Sequence, residues 1–420
     1  MQALKSLVST LVLLWFFSMA SKAQYTLQGT VRTADGKPVP NASVFFSNTS
    51  FGTAANAEGH FALYNIPTGR YELVVSSMGF ETRAMVISTE QFAAPLVITL
   101  QPKAAELDEV VIESYDKETW EKWGKFFIEN FMGTTPEAMQ CTLKNTKAIR
   151  FRHYKKRQKL VAIADEPLLI ENRALGYRIS YQMELFEYDF KNKIVYYAGY
   201  PLFSSLEKPG KQPREKWLAN RNKSYYGSKM HFMRSLYRNT LAEEGFEMHH
   251  MQEVPNAEKE RVRQLYKPNT STAGPGIVIS MSGNQAQVGP RSNGDSAAYY
   301  RSVMRQPDML TLVDSARLTG DSIAYAVDET TAAMYFPHQL LVKYLRGAED
   351  ALYLQQTLQN REAGPPVSHL RLVHDKPIEV LANGAYFEPL DLLAGGYWSW
   401  SDKMGNMLPF DFKPTAPPKR

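Results

Sequence analysis

Residues 25–46, YTLQGTVRTADGKPVPNASVFF, decide the fold of the first part of the chain. Apolar or small residues alternate with polar ones over 25–31, and the same period of two returns over 42–46. This period is typical of a β-strand with one buried face. Asp35-Gly36-Lys37-Pro38 predicts a turn between the two runs, because glycine tolerates positive φ and proline presets its own φ. The stretch therefore predicts two strands joined by a turn.

The same pattern continues up to residue 101. Glu58-Gly59 and Pro67-Thr68-Gly69 mark further turns, and alternating apolar residues follow each of them. Short strands separated by Gly and Pro turns are typical of an antiparallel β-sandwich. Residues 24–101 are long enough for seven strands, so we predict a seven-stranded sandwich over this segment.

The order of these turns resembles that of the carboxypeptidase regulatory-like domain, a transthyretin-like β-sandwich. The resemblance begins with the residues quoted above and extends to Gly59-His60-Phe61, Ile66-Pro67-Thr68-Gly69-Arg70-Tyr71-Glu72-Leu73 and Met78-Gly79-Phe80. It implies a non-catalytic module, of the kind found beside zinc carboxypeptidases and at the N-termini of TonB-dependent transporters.

Residues 102–117 look like the linker that follows this module in such transporters. The run Glu106-Leu107-Asp108-Glu109-Val110-Val111-Ile112 places a short apolar strand in an acidic frame. Such a strand could pair with an open sheet edge, and Asp108, Val110 and Ile112 are the candidate docking residues. A plain linker, or a last strand of the sandwich, is the alternative.

Residues 1–23 have the pattern of a cleaved secretory signal peptide. Lys5 precedes an apolar run over 7–17, and Ser21-Lys22-Ala23 fits a cleavage site; an N-terminal anchor is the alternative. The single cysteine, Cys141, excludes an internal disulfide. The net charge of +5 over 420 residues makes no case for nucleic acid. We expect an exported protein in the periplasm, or associated with the outer membrane, of a Gram-negative bacterium.

Residues 118–413 predict an α+β domain, so the predicted fold class is mostly β with helices. Four aromatic residues fall on one face of a helix predicted over 114–132. Residues 268–298 predict a mobile polar insertion, and 414–420 a tail. Three motifs resemble the C-terminal region of exported Gram-negative proteins with the same first domain, which implies an envelope setting and no catalytic residue. They are Ala164-Asp165-Glu166-Pro167-Leu168 with Asn172-Arg173-Ala174-Leu175-Gly176-Tyr177, Tyr226-Gly227-Ser228 with His231-Phe232, and Gly396-Tyr397-Trp398-Ser399-Trp400.

A weak metal motif is present in His250-Met251-Gln252-Glu253, a histidine and a glutamate three residues apart. Zinc carboxypeptidases use such a pair, and His369 or His374 would supply a third ligand. Chance produces this spacing often, and a polar strand explains it equally well. We therefore assign no catalytic residue, metal or cofactor, and we interpret Cys141 as a buried free thiol.

Two other clusters are candidate binding surfaces. Six basic residues over 150–159 would project from the tip of a predicted hairpin. Such a cluster would attract an acidic partner, an acidic glycan or lipid phosphates; a solvated turn is the alternative. Tyr397, Trp398 and Trp400 could stack on sugar rings, with both tryptophans on one strand face; packing in a core is the alternative. The hairpin cluster comprises Arg150, Arg152, Lys155, Lys156, Arg157 and Lys159.

Together these features favour a non-catalytic cell-envelope protein that acts as a protein- or glycan-interaction module. Its expected partner is a glycan or an envelope protein of an outer-membrane transport or assembly complex, such as a TonB-dependent transporter. No nucleic acid is expected as a partner, and any attachment to the membrane is peripheral. A metal-dependent envelope hydrolase or peptidase is the first alternative. A small outer-membrane barrel with a plug-like N-terminus is the second.

Overall fold

The computed structural model describes residues 24–92, 95–103, 116–207, 210–265, 294–387 and 389–415. Several predictions lie outside these residues: the signal peptide over 1–23, most of the linker with Asp108, Val110 and Ile112, most of the polar insertion, and the end of the tail. Within the described ranges, no helix is both long and apolar enough to cross a bilayer.

The N-terminal segment forms the predicted seven-stranded sandwich. Its sheets have the strand orders β4-β1-β7 and β3-β2-β5-β6. Val31, Val44 and Leu73 are fully buried between the sheets. The strands are β1 (Gln24–Thr33), β2 (Ser43–Phe46), β3 (Gly52–Ala54), β4 (His60–Pro67), β5 (Arg70–Ser76), β6 (Arg83–Ser88) and β7 (Leu96–Leu100).

The pairing in the sandwich differs from the prediction in one place. Strand β7 pairs with β1 in the parallel direction, from Gly29 opposite Leu96 to Thr33 opposite Leu100. The preceding strand β6 belongs to the other sheet. The chain therefore crosses between the sheets before β7, and a crossover allows two strands to run parallel whereas a tight hairpin does not.

A seven-stranded sheet covered by a helix comes next. Its main path has the order β8-β10-β11-β13-β12-β9, and β14 pairs with β13 beside it. Phe127 and Phe131 of helix α1 are fully buried against this sheet, as the one-sided aromatic pattern predicts. The elements are β8 (Asp116–Glu118), α1 (Trp120–Phe131), β9 (Cys141–Leu143), β10 (Ile149–Tyr154), β11 (Lys159–Ala164), β12 (Leu168–Asn172), β13 (Tyr177–Asp189) and β14 (Ile194–Ser205).

The remainder of the chain forms a five-stranded and a three-stranded sheet around a second core. The strand orders are β16-β15-β19-β20-β22 and β17-β18-β21. Their elements are α2 (Glu215–Tyr225), α3 (Lys229–Tyr237), β15 (Phe246–Pro255), α4 (Ala257–Leu265), α5 (Gly294–Arg305), β16 (Met309–Val313), β17 (Ala324–Asp328), β18 (Thr331–Met334), β19 (Gln339–Tyr344), α6 (Ala351–Gln356), β20 (Val367–Leu372), β21 (Ile378–Leu381), β22 (Leu392–Gly396) and α7 (Tyr397–Ser401). The predicted fold class, mostly β with helices, is confirmed.

The last part of the chain returns to the seven-stranded sheet. Met404, Leu408 and Phe412 join the core that contains Phe127. Asn172 fixes this return, because its Nδ2 donates to the Gly405 carbonyl at 2.8 Å. The end of the chain therefore connects the seven-stranded sheet to the region built around the second core.

Candidate functional site

A cavity of about 1010 Å³ lies where the sandwich, the seven-stranded sheet and the five-stranded sheet meet. A volume of this size is typical of ligand-binding sites. Five acidic and five basic side chains line it, so its formal charge balances and favours a ligand without a large net charge. They are Glu72, Glu184, Glu253, Asp391 and Asp402, with Arg70, Lys193, Lys229, Arg371 and Lys403. Seven tyrosines also line it, at 71, 181, 188, 196, 197, 200 and 386.

The sandwich closes one side of the cavity through the turn between β2 and β3. In this turn, Asn48 N–H donates to the Pro201 carbonyl at 2.8 Å, and Phe203 N–H donates to the Thr49 carbonyl at 2.9 Å. Ser50 N–H donates to Asp411 Oδ1 at 2.8 Å. The same turn thus binds both strand β14 and the end of the chain, which holds the sandwich as a wall of the cavity.

Arg70 makes a second attachment of the sandwich. Its guanidinium donates to Thr331 Oγ1 at 2.8 Å and lies 3.2 Å from Glu379 Oε2. It also lies 5.2 Å from the centre of the Phe387 ring, within the range of a cation–π contact. Arg70 therefore links β5 to the three-stranded sheet at the margin of the cavity.

Strand β14 presents its edge to the cavity rather than one face. Every residue over 193–201 lines the cavity, although successive side chains of a strand point to opposite faces. Residues 194–200 are also all half-buried, without alternation. Strand β14 pairs only with β13, so within the described part of the chain no strand covers its other edge over 194–200.

Lys229 and Asp402 form a polar floor beneath this edge. Lys229 N–H donates to Asp402 Oδ2 at 3.0 Å, and the Lys229 side chain hydrogen-bonds to Tyr386. Burial opposes the charge on Lys229, but Tyr386, Asp402 and Tyr197 outweigh it, so the pKa of the ammonium group is raised. Burial raises the pKa of Asp402 and raises that of Tyr197 to about 12. Lys229 is thus held as a cation.

The end of β14 nearest the sandwich is acidic. Glu72 of β5 and Glu184, the bulged residue of β13, both line the cavity there. Burial raises the pKa of both carboxyl groups. Burial and these two carboxylates also raise the pKa of Tyr200 to about 12. This end would therefore accept a hydrogen-bond donor or a cationic group.

Of the four candidate metal ligands, the structure brings only Glu253 and His369 near each other. His250 and Glu253 are three apart on β15, so their side chains point to opposite faces of the strand. Glu253 and His369 line the cavity, whereas exposed His374 pairs with Asp391 at 2.8 Å. In the described ranges, no group of three His, Cys, Asp or Glu side chains is arranged to hold a metal ion.

The candidate aromatic residues lie on a helix, so the expectation that Trp398 and Trp400 share one strand face is wrong. Gly396 adopts a φ of 66°, which turns the chain out of β22 and into α7. Trp398 is buried, and its Nε1 donates to the Gly227 carbonyl at 2.7 Å. Tyr397 and Trp400 pack with Tyr353, at ring distances of 4.9 and 5.5 Å from it.

The candidate basic residues do lie together on the hairpin of β10 and β11. Acidic neighbours balance part of their charge, because Arg150 pairs with Asp165 and Lys159 Nζ lies 2.6 Å from Glu187 Oε1. Arg157 lies 5.9 Å from the centre of the Tyr154 ring. The tip residues Lys155, Lys156 and Arg157 are exposed, and Arg152 is half-buried.

Cys141 opens β9 and packs against the core of the seven-stranded sheet. Burial raises the pKa of its thiol to about 12. A reactive cysteine needs a lowered pKa, so this environment suits an inert thiol.

Comparisons with known proteins identify the class of the N-terminal module. Residues 27–112 match the family model of the CarboxypepD_reg-like domain, so the sandwich is a carboxypeptidase regulatory-like domain. Among curated proteins, the TonB-dependent receptor P39 of Formosa agariphila is 31% identical over 96 residues. That match covers 23% of this chain and 9% of the receptor. The chain is therefore similar to a small part of that protein.

Sequence reasoning missed most residues of the cavity, although the candidates Glu253, His369 and Trp398 line it. Lys229, Asp402 and Tyr386 lie far apart in the chain, and each is unremarkable in its local sequence. The one local signal is Tyr196-Tyr197-Ala198-Gly199-Tyr200, a strand with tyrosines on both faces. A strand without a clear buried face indicates that more than one environment surrounds it.

Proposed function

We propose that this protein is a non-catalytic interaction module of the Gram-negative cell envelope, and that the cavity is its binding site. The observation that carries the proposal is the charge-balanced, tyrosine-lined cavity of about 1010 Å³. Tyrosine combines a large apolar ring with a polar tip, and both glycans and peptides bind to such surfaces. The regulatory-like module and its similarity to part of a TonB-dependent receptor support an envelope setting with a transport or assembly complex as partner.

The environment of Lys229 suits binding rather than catalysis. A lysine that acts as a base or nucleophile needs a lowered pKa, whereas the pKa of Lys229 is raised. Asp402 accepts a hydrogen bond from the Lys229 backbone, and Lys229 bonds to Tyr386. These groups therefore serve to orient a ligand through hydrogen bonds.

Site-specific photocrosslinking in a Gram-negative host tests this function. Benzoylphenylalanine replaces Tyr196, which lines the cavity, or Tyr64, which is 62% exposed on the sandwich. We expect an envelope-derived adduct from position 196 and none from position 64. Ala385→Trp, which places a bulky ring at the lining of the cavity, should remove the adduct, whereas Ala54→Trp on the exposed strand β3 should not. Equal adducts from both positions, or an adduct that survives Ala385→Trp, would contradict the proposal.

A further inference from the structure

The edge of β14 that no described strand covers specifies the chemical class of the ligand. The Asn48 N–H donates to the Pro201 carbonyl, and the Phe203 N–H donates to the Thr49 carbonyl. Pro201 and Phe203 of β14 therefore direct these backbone groups away from β13. Backbone direction alternates along a strand. Val195, Tyr197 and Gly199 therefore direct their N–H and C=O groups toward the cavity.

A regular row of donors and acceptors suits another polypeptide strand. A peptide offers N–H and C=O groups with the same two-residue spacing, and it can extend a sheet by pairing with its edge. A sugar chain offers hydroxyl groups without that spacing. Sheet edges are usually protected from pairing, whereas over 194–200 this edge lines a cavity.

The two ends of the edge limit the length of the ligand. The edge begins at the turn between β13 and β14, and the turn of the sandwich around Asn48 binds its other end. The edge over 194–200 spans about 23 Å at about 3.3 Å per residue. A segment of about seven residues would fill it.

The charges along the edge give the ligand a direction. Glu72 and Glu184 lie beside Tyr200 at one end, and Lys229 with Asp402 forms a balanced pair near Tyr197 in the middle. A basic side chain would be favoured at the acidic end, where carboxylates attract a cation. Antiparallel pairing is the more stable arrangement, and it places this basic residue at the N-terminal end of the bound segment.

We propose that the cavity binds an extended polypeptide segment of about seven residues, which adds a strand to the free edge of β14 and carries a basic residue at its N-terminal end. This proposal rests on the proposed function, because it names the ligand class of the same cavity. A neutral glycan is the competing occupant, and the experiment separates the two.

A random heptapeptide library displayed on phage is selected on the immobilised protein, with the Ala385→Trp variant as the counter-selection target. We expect enriched peptides with Lys or Arg at the first or second position. The best peptide is then synthesised with a fluorophore, and its binding is measured by anisotropy. Methylating alternate backbone nitrogens of that peptide, on the side that faces β14, should weaken binding at least tenfold.

Two substitutions of one residue test the edge itself. Val195→Pro removes one backbone donor that points to the cavity and should weaken binding at least tenfold. The ladder with β13 should survive, since Pro201 already occupies an equivalent position in β14. Val195→Ala shortens the side chain but keeps the donor, and should change binding less than twofold. Far-ultraviolet circular dichroism verifies that both variants are folded.

The outcomes separate this inference from the proposed function. Equal binding by Val195→Pro and the wild type would overturn strand addition, as would enrichment no greater than on Ala385→Trp. In either case, the photocrosslinked adduct at position 196 decides the proposed function. If this adduct depends on the cavity, resists protease and is digested by glycosidases, the proposed function stands and the ligand is a glycan. If no cavity-dependent adduct forms either, both proposals fall.

Discussion

The sandwich and the C-terminal region build their cores from very different lengths of chain. Every residue of the sandwich core lies between Leu27 and Leu100. The core beneath the seven-stranded sheet instead combines Phe127 with Met404 and Phe412. A core made from one short stretch forms from contacts that are close in sequence, whereas the other is complete only when the end of the chain has returned. The first is therefore a portable module, and the second depends on the whole region.

The two regions also differ in how they use buried polar groups. Among the described residues of the sandwich, the buried polar side chains are Ser47, Thr49 and Thr89, and Thr49 Oγ1 donates to the nearby Phe46 carbonyl at 2.8 Å. In the C-terminal region, Arg234 donates to the carbonyls of Asn383, Phe410 and Phe412, at 2.8, 3.0 and 3.0 Å. Buried hydrogen bonds of this kind fix one arrangement, because breaking them leaves unsatisfied polar groups. Distant segments are thus joined by specific polar contacts as well as by apolar packing.

Removing one phenylalanine ring from each core gives the largest expected effects. Phe46 in the sandwich and Phe127 in α1 are both fully buried. Each change to alanine should cost about 3–5 kcal/mol of unfolding free energy. If the regions are separate folding units, calorimetry will show two transitions, with Phe46→Ala lowering one and Phe127→Ala lowering the other. A single transition that both variants lower equally would remove the distinction between the regions.

Replacing Arg234 tests the hydrogen bonds that connect distant segments of the C-terminal region. Arg234→Met keeps most of the apolar stem but leaves three carbonyls without their donor, so it should cost about 3 kcal/mol. Arg234→Lys keeps the charge but loses the planar fork, and should fall between wild type and Arg234→Met. Urea unfolding measures both, and only the C-terminal transition should shift. An equal shift in the sandwich transition would show that the docked regions unfold together.

The same contrast explains how much the sequence could predict. The sandwich was predictable because its strands alternate locally and its turns carry Gly and Pro. The hairpin of β10 and β11 and helix α1 also followed from periodicity. The cavity could not be predicted from the sequence, because Glu72, Lys229 and Asp402 come from three distant segments and meet only through tertiary packing. The prediction that Trp398 and Trp400 lie on a strand failed for a local reason, because a helix begins directly after Gly396.

Acid should weaken the C-terminal region more than the sandwich. His231 is buried beside Glu244, at 3.3 Å, and burial lowers its pKa despite that carboxylate; Arg238 and Arg234 add to the lowering. The unfolded state binds a proton near pH 6.5, whereas folded His231 stays neutral. Stability should therefore fall as the pH drops below about 6.5, until the pH reaches the lowered pKa of His231.

Comparing wild type with His231→Asn between pH 7.5 and pH 5 isolates this contribution. Asparagine can still accept the hydrogen bond from Gly227 N–H, which His231 Nδ1 accepts at 3.1 Å. The variant should lose less stability than the wild type over this range, and only in the C-terminal transition. Parallel pH profiles for the two proteins would exclude His231 as the source.

The smallest expected effect concerns the contact between the two regions. Arg70→Ala removes the half-exposed ion pair with Glu379, the hydrogen bond to Thr331 and the contact with Phe387, and should cost about 1–2 kcal/mol. Arg83→Ala is the matched control, because Arg83 donates to the Thr99 carbonyl within the sandwich at 3.0 Å. Because Arg70 joins the regions, its loss should bring the two calorimetric transitions further apart, whereas Arg83→Ala should lower only the sandwich transition. An unchanged separation in Arg70→Ala would mean that the turn around Asn48 holds the sandwich without help from Arg70.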